Sequence, residues 1–333
     1  MLRKTVLFGL LVGLLLSFSL ALPTAAQTAR PVIIDTDMGS DDWMAILYLL
    51  NTPDVAVQAI TVTGTGLAYC DAGVHIALGL LALADYGDVP VSCWRETPLM
   101  GENAFPAEWR TNMEAAEGLG LPAGGAAAEQ DAVALFTSVV EVSAEPVTVL
   151  ALGPLTNVGA ALDADPSLIE KIEMIYIMGG AVDVAGSGVT EQNTTAEWNI
   201  FCDPHAARLV FESGAPVTLV PLDATNDVPV TMDFVGRLDA ARQTPEAEFV
   251  YNMLVGSQGF IESGGYYFWD PLAAAVLSDE SLVALQDRDV TVIDTPGPEN
   301  GRTKPVGNGP EIRVATAPDA AAFEQRFIET LNG

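Results

Sequence analysis

The chain has 333 residues, 44 acidic against 14 basic, a formal charge of −30 and only two histidines. So acidic a surface repels phosphate backbones and anionic membranes, which excludes nucleic-acid polymers as partners and leaves solubility as its ordinary role. Cys70, Cys93 and Cys202 show no CxxC spacing; that argues against zinc and allows one disulfide, its pairing open, with an odd thiol left over.

Taken in chain order, Leu2-Arg3-Lys4, the apolar run Val6 to Leu20 and the small residues Thr24-Ala25-Ala26 resemble a signal peptide over 1–26, cleaved before Gln27. An uncleaved anchor is the alternative. Residues 27–333 are then expected to form one catalytic domain, secreted or extracytoplasmic, in the periplasm or at the cell exterior, and free of the membrane.

Short β-branched runs follow at Val32-Ile34, Val57-Thr63, Val89-Cys93, Val147-Leu152, Ile172-Met178, Val217-Leu222 and Val290-Ile293. Helical apolar stripes alternate with them over 41–50, 72–85, 131–142, 155–163, 204–213, 246–257 and 318–331. The alternation predicts an α/β fold: a largely parallel, open, Rossmann-like sheet with helices on both faces. Residues 95–130, 181–196 and 294–310 read as long loops.

The first strand-to-helix junction carries Asp35-Thr36-Asp37-Met38-Gly39-Ser40-Asp41-Asp42. Strand geometry places Asp35 and Asp37 on one side, Gly39 permits a sharp turn, and Ser40 or Asp41 is positioned to cap the next helix. Such crowded carboxylates raise each other's pKa unless a cation compensates them. No Lys or Arg follows Arg30 in this stretch, and an all-oxygen, multiply charged set suits a hard cation, calcium above all. A solvated N-cap would account for Asp41 and Asp42 but leave Asp35 and Asp37 unexplained.

That stretch, with Ala45-Ile46, resembles the DxDxGxDDxxAI signature of the inosine-uridine preferring nucleoside hydrolases. Leu152-Gly153-Pro154-Leu155-Thr156-Asn157, Met178-Gly179-Gly180, Ala196-Glu197-Trp198-Asn199 and Phe268-Trp269-Asp270-Pro271-Leu272-Ala273 resemble further segments of that family. The resemblance implies a calcium-dependent hydrolase that splits nucleosides into free base and ribose. It implies Asp37, Asp42, Asp270 and the Leu152 carbonyl as calcium ligands, Asp37 also as general base, and Asp35 as their support. Asp41 would hold ribose hydroxyls, and Glu197 and Asn199 would hold the sugar from the other side with Met178. Trp269, by its own chemistry and its place beside Asp270, is expected to stack on the base. Such an enzyme stabilises an oxocarbenium-like sugar with fixed negative charge. The family is commonly dimeric or tetrameric, so a homo-dimer or homo-tetramer is expected.

The match has gaps. Trp269 stands where much of the family has a histidine that protonates the leaving base, the loop Glu96 to Leu121 holds none, and His75 and His205 fall on no family acid position. Tyr266, Tyr267, Glu191 and ordered water are the candidate replacements. Gly66 takes the place of an expected asparagine, and Glu191 or Asn193 that of an asparagine at the ribose 5′ end. A nucleoside-binding chain with little turnover is therefore one alternative. A haloacid-dehalogenase-like phosphatase built on Asp35 and Asp37 is another, although Lys171 and Lys304 are poorly placed for it.

Overall fold

The computed structural model describes residues 29–114 and 120–333, so the signal-peptide expectation lies outside the described residues. In chain order the elements are β1 Arg30–Thr36, α1 Ser40–Leu50, β2 Val55–Val62, α2 Cys70–Leu83, β3 Val91–Cys93, α3 Ala107–Glu114, α4 Ala132–Val142, β4 Val147–Ala151, α5 Thr156–Ala164 and β5 Ile172–Met178. They continue as α6 Trp198–Cys202, α7 Pro204–Glu212, β6 Val217–Val220, α8 Leu222–Thr225, α9 Met232–Ala241, α10 Pro245–Gly256, α11 Gln258–Glu262, α12 Trp269–Ser278, β7 Ala284–Val292, β8 Thr303–Pro305, β9 Glu311–Thr316 and α13 Ala320–Asn332.

The strands form one sheet in the order β3-β2-β1-β4-β5-β6-β9-β7-β8. All pairings from β3 to β9 are parallel, whereas β7 runs antiparallel to both β9 and β8. Strands buried on both faces need continuous apolar sequence, and β4, Val-Thr-Val-Leu-Ala, is buried along its whole length. Alternate side chains feed two cores: Val32, Ile34 and Leu150 pack with α1, α12 and α13 on one face, while Ile33 and Val149 pack with α4, α5 and α7 on the other.

The chain steps outward from β1 through β2 to β3 and then returns to place β4 on the other side of β1. That reversal opens a crevice beyond the carboxyl ends of β1 and β4, where open α/β sheets bind ligands. Asp35 to Asp37 and Leu152 stand at those two ends.

The expected α/β sheet is present, with corrections at its polar parts. Residues 294–310 contain β8, 95–130 contain α3, and α9, α12 and β9 add elements that the apolar pattern does not mark. In β7, Ala-Leu-Gln-Asp-Arg-Asp-Val-Thr-Val, the first six residues are exposed or half-buried, so hydrophobicity reveals only the end that reaches the core. The disulfide pairs Cys70 with Cys93, and Cys202 is a buried free thiol.

Candidate active site

The turn from β1 into α1 is made by Met38, at φ 60, and not by Gly39, whose φ is −64. Left-handed backbone costs a side-chain-bearing residue about 1–2 kcal/mol. Two hydrogen bonds hold it: the Met38 N–H donates to Thr36 Oγ1 at 3.1 Å, and Trp43 Nε1–H donates to the Met38 carbonyl at 2.9 Å. Glycine is needed at 39 for space, since a Cβ there would lie 2.9 Å from Asp41 Oδ1 and from Leu67 Cδ1. The expected side-chain cap from Ser40 or Asp41 is not formed. Ser40 Oγ instead shares a 2.8 Å hydrogen bond with the Tyr266 hydroxyl.

A cavity of about 740 Å³ opens above this turn, and its lining includes Asp37, Asp41, Asp42, Glu197 and Asp270 but, among the described residues, no Lys, Arg or His. One carboxylate oxygen from each of Asp41, Asp42 and Asp270 lies within 4.8 Å of the others. Asp42 is fixed by the Thr36 hydroxyl, which donates to its Oδ1, and Asp270 enters from the first turn of α12, which packs along α1. Asp37 turns Oδ2 toward the Leu67 N–H at 3.0 Å. Asp41 joins Asp42 and Asp270 in this group, and Asp37 lines the same cavity beside it.

Burial, then the charge of a neighbouring aspartate, pushes Asp41 and Asp42 up to about 7 and holds Asp37 and Asp270 well above the usual carboxylate range. Asp270 Oδ1 is buried with no protein partner. This all-oxygen donor set, crowded and without a cationic side chain among the described residues, fits a hard divalent cation. Asp35 lies beneath and does not line the cavity. Its Oδ2 accepts from Thr61 Oγ1 at 2.6 Å and from Asn157 Nδ2 at 2.8 Å, its Oδ1 is unpartnered, and burial raises it to about 7 against those two hydrogen bonds.

The facing wall comes from the ends of β4 and β5 and the start of α6. Asn199 Nδ2 donates to the Leu152 carbonyl at 2.8 Å and to the Met178 carbonyl at 3.2 Å. Glu197 caps α6, its Oε1 accepting from Asn199 N–H at 2.8 Å and its Oε2 from Gly180 N–H at 2.9 Å and Ile200 N–H at 3.2 Å. Trp269 is half-buried on the cavity wall, with the Tyr266 and Tyr267 rings at 5.9 and 5.7 Å.

Several expected contributors are elsewhere. His75 is exposed on α2, and His205 faces Asp294 at 3.2 Å, neither on the cavity. Glu191 is exposed and Asn193 is buried in its own loop, and neither lines the cavity. Gly66 has no room for the expected asparagine, because a Cβ there would come within 2.2 Å of the Asp37 side chain. Trp109, Asn112 and Met113 of α3 do line the cavity; the polar, Pro- and Gly-flanked sequence around them gave little sign of a helix, and only the isolated tryptophan hinted at it.

Fold and cavity together define an α/β protein with a carboxylate-rich, aromatic-lined site beyond the carboxyl ends of its central strands. The chain belongs to the inosine-uridine preferring nucleoside hydrolase family, whose match spans residues 32–325. It is similar to the pyrimidine-specific ribonucleoside hydrolase RihA of Shewanella sp. (strain ANA-3), 35% identical over 271 residues that cover 78% of this chain and 81% of that one. Among solved structures it is similar to a plant nucleoside hydrolase, with a TM-score of 0.82, 27% identity, and coverage of 91% of this chain and 99% of that one. The inosine-uridine preferring nucleoside hydrolase of Bacillus anthracis gives a TM-score of 0.80 at 25% identity, covering 91% and 99% of the two chains. The protein is thus an N-glycosyl hydrolase of nucleosides, and the phosphatase alternative falls away.

Proposed function

We propose that this chain is an exported, calcium-dependent nucleoside hydrolase in which residues 27–333 work as one unit and Asp37 is the general base. The observation that carries the reading is the convergence of Asp41, Asp42 and Asp270 beside Asp37 in a cavity with no cationic side chain. Asp42, Asp270, Asp37 and the Leu152 carbonyl would hold the calcium, with Asp41 close enough to share it or to take a ribose hydroxyl. The ion, when bound, supplies the positive charge that lets these acids stay ionised and helps to fix the sugar hydroxyls.

The chain's own groups do the rest. Asp37 takes the proton of the attacking water on the oxygen that Leu67 does not hold, and the ring of carboxylates stabilises positive charge growing at C1′. Asn199, its amide N–H groups anchored on two backbone carbonyls, is set to accept a sugar hydroxyl through Oδ1. Trp269 offers its face to the base. With Glu191 off the cavity and the Tyr266 hydroxyl tied to Ser40, Tyr267 and solvent water remain as proton sources for the departing base. Export is supported by the Cys70–Cys93 disulfide, since such bonds persist in oxidising compartments.

The absence of His, Lys and Arg from the cavity lining favours one second reading, a nucleoside-binding chain with slow turnover. Chromatography of free base from a mixed nucleoside panel, with chelator and with calcium restored, separates the two. Turnover that needs calcium and falls about 10² to 10⁴-fold in Asp37→Ala is expected. Unchanged release by Asp37→Ala would remove Asp37 as base, and calorimetric binding without release would favour the second reading.

A further inference from the structure

The turn that leads from β2 into α2 holds Asp37 with its backbone. Leu67 N–H donates to Asp37 Oδ2 at 3.0 Å and Ala68 N–H donates to the Asp37 carbonyl at 2.9 Å, while a Cβ on Gly66 would come within 2.2 Å of the Asp37 side chain. At the start of the same turn, Thr63 N–H donates to the Thr36 carbonyl at 2.8 Å. A shift of residues 66–68 therefore carries the Asp37 carboxylate with it.

That turn is braced in its own right by α3. Arg110, 5% exposed, donates from Nη2 to the Gly64 carbonyl, and its guanidinium lies 3.8 Å over the ring of Tyr69 at the entrance to α2. Gly64 is also closed in by the segment leaving β3, because a Cβ there would lie 2.9 Å from the Arg95 carbonyl oxygen and from Cys70 Sγ. Trp109, Asn112 and Met113, on the same helix as Arg110, line the cavity, whereas Arg110 does not. The guanidinium thus ties a helix of the cavity wall to the turn that holds Asp37. Burying such a group is costly unless its donors are used, and its bond to the Gly64 carbonyl is charge-assisted and therefore strong.

We infer that Arg110 is a positioning residue for the hydrolysis: it fixes the turn at Gly64, so that Leu67 N–H holds one oxygen of Asp37 and leaves the other for the attacking water. The inference rests on the nucleoside-hydrolase reading above, with Asp37 as base. A reacting group displaced by about 1 Å loses on the order of 10²-fold in rate, so a single bond outside the cavity is enough to govern turnover. An interaction that acts only on the reacting geometry changes kcat and leaves KM alone.

The test measures kcat and KM for base release from inosine and uridine at saturating calcium, well below the melting temperature, in the parent, Arg110→Met, Arg110→Lys and Gly64→Ala. Arg110→Met should lower kcat by about 10- to 100-fold with KM within about threefold of the parent's. Arg110→Lys, which still offers a cationic donor to the Gly64 carbonyl but loses the stacked guanidinium, should fall between the two. In Gly64→Ala the added methyl forces the turn off the Arg95 carbonyl with Arg110 in place, and kcat should drop about tenfold. A higher KM at unchanged kcat in Arg110→Met would reduce Arg110 to a support of the α3 wall and overturn the inference, as would parent-like kinetics. Should Arg110→Met not fold, the other two variants decide, and kcat equal to the parent's in both would overturn the inference. Failure of the parent to release base from either nucleoside would overturn the hydrolase reading and this inference with it.

Discussion

Gly66 and Tyr266 show how much of this site is decided by single atoms. A methyl group at 66 would overlap the Asp37 carboxylate at 2.2 Å. Gly66→Ala should therefore lower kcat/KM by about 100-fold or more through misplacement of the base, with near-native far-UV circular dichroism; an active Gly66→Ala enzyme would show that Asp37 need not sit where it does. Tyr266 is the converse case. Its hydroxyl is buried against Ser40, and burial together with the Asp41 charge raises it further from any useful acid range. Tyr266→Phe should keep kcat within about tenfold of the parent; a loss beyond 10²-fold would mark Tyr266 as the proton donor instead.

At the scale of elements, α3 is held to the loop that fixes Asp37 by one buried arginine. Arg110 is 5% exposed, donates to the Gly64 carbonyl and lies 3.8 Å over the Tyr69 ring. Gly64 begins the segment that carries Gly66 and Leu67, and the disulfide pins the same segment's exit into α2 to the end of β3. Arg110→Met retains most of the volume but leaves the Gly64 carbonyl without its donor, which should cost about 1–3 kcal/mol in urea unfolding. An unfolding midpoint equal to the parent's would show that α3 is anchored by its aromatic contacts alone. The missed elements share a physical cause: α3 and most of β7 are polar on their exposed faces, so burial, which drives periodicity, leaves little trace in them.

Across the whole molecule, the buried acids tie stability to pH and to cation. Asp35, Asp41 and Asp42 are raised to about 7, so between about pH 4 and 7 the folded chain binds more protons than the unfolded one, and stability falls as pH rises. Carboxylates shifted the other way, such as Asp279, Asp294 and Glu280, exert their effect at lower pH. In chelator the melting temperature should decline from about pH 4 to 7, and saturating calcium should flatten or reverse that decline, because a ligand that binds only the folded state stabilises it. A melting temperature that climbs through this window in chelator would contradict the compensation of these acids by a cation.

Much of the function was legible in the linear order of residues. The Asp35 to Asp42 run, with Trp198, Asn199 and Asp270 downstream, implied a nucleoside hydrolase and an α/β sheet, because a buried parallel strand ending in carboxylates leaves a signature of adjacent residues. The same residues also announced the missing histidine. Tertiary structure decided what depends on distance between segments far apart in the chain. It brought Asp41 into the carboxylate group, turned Met38 and not Gly39 left-handed, withdrew Asn193 into its own loop and set Trp198 against Trp109 on the cavity lining. Sequence specifies which side chains are available, whereas packing and hydrogen-bond competition decide which of their atoms still face the substrate.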